Sequence, residues 1–252
     1  MTKAVINRLP QYDILYLGDT KRVPYGNRSQ KTVYDFTARA VEFLFAQNCK
    51  LVILACNTAS AQALRKIQQE LLPAKYPDRR VLGVIIPTLE AVSNDPRNQK
   101  VGVMATQSTA ASHIYRTELK KINPRLKVLE QPAPLLVPLI ENGAKKFAPP
   151  FLLQYLRPLK KFRADAVVLG CTHYPILKKP MKKILPKGVR LYSQEQIIPE
   201  KLAGYLKRHP EIDSRLSKKA QQVFMVTDLN VNLAAAAKEI FGKKIAFKLA
   251  DF

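Results

Sequence analysis

Short apolar runs alternate along this chain with longer stretches of helical spacing. Ile14-Leu15-Tyr16-Leu17 predicts a strand that leads into Gly18-Asp19-Thr20. From Thr32 to Gln47, Val33, Phe36, Ala40, Val41 and Leu44 fall on one helix face. Leu51 to Ala55 predicts a second strand and Thr58 to Leu72 a second helix. Val81 to Ile86 predicts a third strand, ending at Pro87. The pattern restarts after Ser93-Asn94-Asp95-Pro96, with a strand at Val101-Gly102-Val103-Met104 and a helix from about Ser108 to Lys121. A short strand at Val128–Leu129 follows, then a Pro-rich passage and a helix from Phe151 to Lys161. Ala166 to Leu169 reads as a strand and Pro175 to Leu185 as a helix. Val223-Phe224-Met225-Val226 and a helix from Leu229 to Ile240 complete the pattern.

Strands that alternate with helices imply an α/β fold with parallel sheets. The composition break at Pro87 to Pro96 marks an expected hinge between two similar α/β domains, with the active site in the cleft between them. The closing strand–helix unit is expected to return to the first domain. That gives residues 1–87 plus 208–252 in one domain and 88–207 in the other.

Composition narrows the function. The chain has 252 residues, 47% hydrophobic and 24% charged, which is ordinary for a globular protein. Its apolar runs are strand-sized, too short to span a membrane. Met1 to Pro10 lacks the apolar core of a signal peptide, so the expected location is the cytoplasm. Three cysteines make an odd count, and no Cys/His cluster has zinc-ligand spacing, so neither a disulfide framework nor a metal site is expected. Forty-two Lys and Arg against 19 Asp and Glu leave a net charge of +23. Nucleic-acid binding is one reading of that bias. The basic residues are spread along helices, as at Lys178-Lys179 and Lys182-Lys183, with few aromatics between them and no nucleic-acid motif. A solvated basic surface that attracts a small anionic substrate is the favoured reading.

Two cysteines stand in matched contexts. Leu51-Val52-Ile53-Leu54-Ala55 leads to Cys56-Asn57-Thr58-Ala59-Ser60, and Ala166-Val167-Val168-Leu169-Gly170 leads to Cys171-Thr172-His173-Tyr174-Pro175. Each block is a buried strand, a thiol, and small polar residues that open a helix. Ligands of open α/β sheets sit beyond the carboxyl ends of the strands. The helix N-terminus that follows favours a thiolate, and its free N–H groups, with Asn57, Thr58, Thr172 and His173, suit a carboxylate. Alone, either cysteine reads as a small buried hydrophobe. As a pair, they suit two-base chemistry: one thiolate removes an α-proton from one face of an amino acid while the opposite thiol protonates the other face. Cys49 has no such context.

These residues resemble the glutamate racemases of the aspartate/glutamate racemase superfamily, nearly end to end. Leu17-Gly18-Asp19-Thr20-Lys21-Arg22-Val23-Pro24-Tyr25-Gly26 is similar to the family's substrate loop, and the two cysteine blocks to its catalytic segments. Val101-Gly102-Val103-Met104-Ala105-Thr106, followed by Thr109 and Ser112, matches a further segment. Leu136-Val137-Pro138-Leu139-Ile140-Glu141 resembles the segment that carries an acidic helper. The resemblance implies cofactor-independent interconversion of L- and D-glutamate, supplying D-glutamate for peptidoglycan synthesis. It implies Cys56 and Cys171 as the two bases, and His173 and Glu141 as their helpers. Tyr25, Gly26, Asn57, Thr58, Thr172, His173, Thr106 and Thr109 would bind the substrate. A homodimer is expected. Asp19 reads either as a cap on its turn or as a support for the loop.

The sequence departs from the family at its start, where a strand and an Asp-Ser-Gly turn are usual and Met1 to Pro10 resembles only the latter part of the helix that follows. A missing inner strand would leave unpaired backbone and a gap in the core, and a missing carboxylate would remove a partner for the substrate ammonium. Weak or absent activity is therefore expected, whether from a late start codon, a truncated gene or a diverged copy. The alternatives are a non-catalytic binding or regulatory protein, with gyrase or nucleic acid as conceivable partners, or a related amino-acid racemase such as an aspartate racemase.

Overall fold

The computed structural model describes residues 1–229 and 232–252. Among these residues nine strands form, all paired in parallel: β1 (Ile14–Gly18), β2 (Leu51–Leu54), β3 (Arg80–Gly83), β4 (Lys100–Ala105), β5 (Lys127–Pro132), β6 (Ala166–Gly170), β7 (Arg190–Tyr192), β8 (Gln222–Val226) and β9 (Phe247–Leu249). The central part of the chain builds a four-stranded sheet in the order β5-β4-β6-β7. The outer parts build β1-β8-β9 and β2-β3. β8, from the end of the chain, pairs with β1 from Ile14↔Gln222 to Gly18↔Val226.

β6 is buried at every position and sits between β4 and β7, so its run Ala166-Val167-Val168-Leu169 carries no polar alternation. Its two faces feed two cores. Val167 and Leu169 pack with Leu152, Leu156 and Leu159 of the Ala148–Lys161 helix. Val168 and Ala166 pack with Leu89, Val92, Tyr115 and Leu119. Burying a side chain of this size contributes roughly 1.5–3 kcal/mol.

Several elements differ from the periodicity. The third strand ends at Gly83, and Ile85–Ser93 is a helix, in place of the expected strand end at Ile86. An unbroken apolar run suits a strand or a buried helix face equally, and here Ile85, Leu89 and Val92 turn inward. Pro87 falls in the helix's first turn, where its missing N–H costs no hydrogen bond. The helix expected from Ser108 to Lys121 is two helices, Gln107–Ala111 and Ile114–Ile122, because His113 takes a left-handed φ of 53°. The segment after Cys56 is likewise broken, with helices at Asn57–Gln62 and Leu64–Lys66. The closing helix is Leu233–Phe241, and positions 230 and 231 of the expected Leu229–Ile240 helix lie outside the described residues. β7, β9 and the Gln194–Arg208 helix have no counterpart in the pattern reading.

Among the described residues, β1 pairs only with β8 and β2 only with β3. A cavity of about 740 Å³ lies along both of these strands. It reaches from Val5, Leu9, Ile14, Leu51 and Ile53 to the chain segments that follow β2 and β6. No described helix is long and apolar enough to cross a membrane.

Candidate active site

The two thiols occupy equivalent places. β2 ends at Leu54, and Cys56 is the residue that opens the Asn57–Gln62 helix. β6 ends at Gly170, immediately before Cys171. Both line the same cavity, each beyond the carboxyl end of a parallel strand. Cys171 is buried, 6% exposed, and Cys56 is half-buried.

The environment of Cys56 does not lower its pKa as expected from its place before a helix. Burial pushes it up and Cys171 adds to the rise, while the backbone N–H groups of Ala59 and Thr58 pull the other way. The helix it opens is six residues long, too short for its amides to offset the desolvation of a thiolate.

Cys171 sits in a relay. Its Sγ lies 3.6 Å from His173 Nδ1, and His173 Nε2 bonds Glu141. Burial alone would lower the His173 pKa. Its hydrogen bonds to Cys171 and Glu141 outweigh that and raise it to about 10. The His173 hydrogen bond in turn holds the Glu141 carboxyl below its ordinary value against the opposing effect of burial.

Facing the thiols is the loop after β1. Asp19 accepts from Tyr25 Oη at 2.5 Å, Thr227 Oγ1 at 2.9 Å and Arg22 Nη1 at 3.1 Å. Asp19 therefore anchors the loop and joins it to the segment after β8. Tyr25, half-buried against this carboxylate, has its phenol pKa raised by burial and by the bond to Asp19. Gly26 is buried against Thr106: a Cβ at residue 26 would stand 2.7 Å from Thr106 Cβ. Only glycine lets the loop approach the residue that follows β4 this closely.

Behind Thr106, three hydroxyls form a triangle. Thr58 Oγ1 is 3.0 Å from Thr106 Oγ1 and 3.1 Å from Thr109 Oγ1, and the latter two are 2.9 Å apart. Thr109 is fully buried and absent from the cavity wall. It bonds Thr58 and Thr106 instead, because the turn of helix begun by Thr106 points it inward. The other expected site residues, Cys56, Cys171, His173, Glu141, Tyr25, Gly26, Asn57, Thr58, Thr172 and Thr106, all line the one cavity.

Two residues of this region escaped the sequence reading. Tyr115 Oη donates to Asn57 Oδ1 at 2.5 Å, and Gln194 Nε2 donates to the same oxygen at 3.2 Å. Tyr115 sits at an ordinary helix-face position, and Gln194 opens a helix that the periodicity did not reveal. Neither carried a signal.

Two parallel sheets that each bring one thiol to a shared cavity define an α/β protein with a two-cysteine site. The family model for Asp/Glu/hydantoin racemases matches residues 1–197. A glutamate racemase of Dinoroseobacter shibae is 36% identical over 260 residues, covering 98% of this chain and 93% of its own. One of Paracoccus denitrificans is 38% identical over 221 residues, covering 83% and 81%. Among solved structures, a glutamate racemase isoform of Bacillus anthracis superimposes with a TM-score of 0.89 at 30% identity, over 100% of this chain and 92% of that one. The glutamate racemase of Francisella tularensis in complex with D-glutamate gives 0.87 at 31% identity, over 100% and 91%. The chain belongs to the Asp/Glu/hydantoin racemase family, and the relatives named above are glutamate racemases, which are isomerases.

Proposed function

We propose that this protein interconverts L- and D-glutamate by two-thiol proton transfer, with no cofactor. The observation that carries the reading is the placement of Cys56 and Cys171 on one cavity, each beyond the end of a parallel strand. In one direction the Cys56 thiolate takes the α-proton of the bound amino acid. The Cys171 thiol gives its proton to the opposite face of the same carbon, which leaves Cys171 as thiolate and the stereocentre inverted. The reverse reaction exchanges the roles. Burial makes the Cys56 thiolate costly and therefore more basic, which suits a weakly acidic Cα–H. Protonated His173, held by Glu141, favours the Cys171 thiolate once its proton has left.

Asn57, Thr58, Thr106, Thr172, Tyr25 and Gly26 would hold the substrate, and the net charge of +23 would draw in a dicarboxylate. Within this reading the protein acts in the cytoplasm as a homodimer and supplies D-glutamate to peptidoglycan synthesis. Circular dichroism of L- and D-glutamate conversion tests the reaction. Whatever turnover the unaltered chain shows is expected to be lost in Cys56→Ser and in Cys171→Ser. Unchanged racemisation in either single variant would refute the two-thiol reading.

A further inference from the structure

Asn57 directly follows the thiol of Cys56, lines the cavity, and is only 2% exposed. Its amide is used at one end only. Oδ1 accepts two hydrogen bonds, from Tyr115 and Gln194, whereas Nδ2 is buried with no partner among the described residues. A buried donor left without an acceptor costs about 1–3 kcal/mol. Such a cost persists where a ligand supplies the acceptor.

The orientation of that amide is decided from outside the site. Tyr115 is fully buried among Val101, Val103, Ala166 and Val168. Among the described residues its hydroxyl donates to Asn57 Oδ1. Turning the Asn57 amide over would place N–H groups against that phenol and take away its acceptor at 2.5 Å, with the Gln194 amide, at 3.5 Å, the remaining polar contact. Gln194 Nε2 reinforces the same choice at 3.2 Å. Burial also pushes the Tyr115 phenol pKa well up, so the hydroxyl remains a donor throughout the working pH range.

We infer that Tyr115 and Gln194 are positioning residues that fix the Asn57 side chain with Nδ2 as a dedicated donor to a carboxylate of the bound amino acid. The inference rests on the racemase reading of the same cavity and adds to it the device that orients one of its ligand-binding groups. The three residues come from three separate elements: the turn after β2, the Ile114–Ile122 helix and the Gln194–Arg208 helix.

A double-mutant cycle on glutamate turnover tests this. Tyr115→Phe keeps the ring and removes the proton, and one lost hydrogen bond of about 1 kcal/mol corresponds to roughly a fivefold rise in KM. A smaller change is expected in kcat. In an Asn57→Ala background the same substitution is expected to have no further effect, because Tyr115 acts only through Asn57. Additive effects would overturn the inference while leaving the racemase reading intact.

A second readout does not require turnover. The Asn57 side-chain amide is the resonance pair that disappears in Asn57→Ala in ¹⁵N-labelled protein. In the unliganded protein, Tyr115→Phe is expected to shift or double this pair, and an unchanged pair would overturn the inference. In the unaltered protein, D-glutamate is expected to shift it as well. A chain that neither binds nor turns over glutamate would sink the racemase reading instead, and the unliganded comparison would still decide the role of Tyr115.

Discussion

Glu141→Gln isolates the charge that helps keep His173 protonated. In the native fold the ring pKa rises from an ordinary 6.5 to about 10. At about 1.4 kcal/mol per pH unit, that rise corresponds to at most roughly 5 kcal/mol favouring the imidazolium. It is shared between Cys171, 3.6 Å away, and Glu141. The Glu141 side chain is 41% exposed, so water screens its part. A charge-assisted bond so placed contributes about 1–1.5 kcal/mol. Glutamine keeps the shape and removes the charge, so the His173 pKa should fall by about one pH unit, to about 9. Because the folded pKa lies above the unfolded one, the stabilisation is complete below pH 6.5 and disappears as pH rises through the folded value. In Glu141→Gln that loss should still begin near pH 6.5 and be complete about one unit earlier. Titration of the His173 ring by NMR, with denaturant melts between pH 6 and 10, measures both effects. A native ring that titrates near 6.5, or one whose pKa is unmoved by the substitution, would refute the reasoning.

Gly26→Ala forces a Cβ to within 2.7 Å of Thr106 Cβ and 2.8 Å of its Cγ2. The loop must retreat, at a cost of about 1–3 kcal/mol, and KM should rise, so wild-type-like kinetics and melting would contradict the close approach. Thr109→Val preserves shape but removes a fully buried hydroxyl that bonds Thr58 and Thr106. Urea unfolding should show a loss of about 1–2 kcal/mol, and an unchanged midpoint would deny the hydroxyl triangle its structural part.

The two cysteine blocks were legible because the sequence carries their chemistry locally. An apolar run of strand length must end somewhere, and a thiol followed by small polar residues marks the carboxyl end where ligands gather. The same logic placed Asn57, Thr58, Thr172 and His173 around one cavity. The Val84–Ile86 run was misread because an apolar run has no period to choose between strand and helix, and packing of Ile85, Leu89 and Val92 made the choice. The break at His113 was hidden because a single left-handed residue leaves no periodic mark.

By itself, then, the sequence determined the parallel α/β alternation, the matched thiols and their polar neighbours, since these follow from local spacing and residue type. Tertiary structure alone decided what each group does with its neighbours. It turned Thr109 from the cavity into a buried hydroxyl triangle, tied Asp19 to Thr227 from the far end of the chain, and joined His173 to Glu141. It also set Tyr115 and Gln194 on one oxygen of Asn57, across 58 and 137 residues of chain. Hydrogen bonds and desolvation depend on distance in space, and a linear pattern carries no record of which distant residues the packed sheets bring within 3 Å.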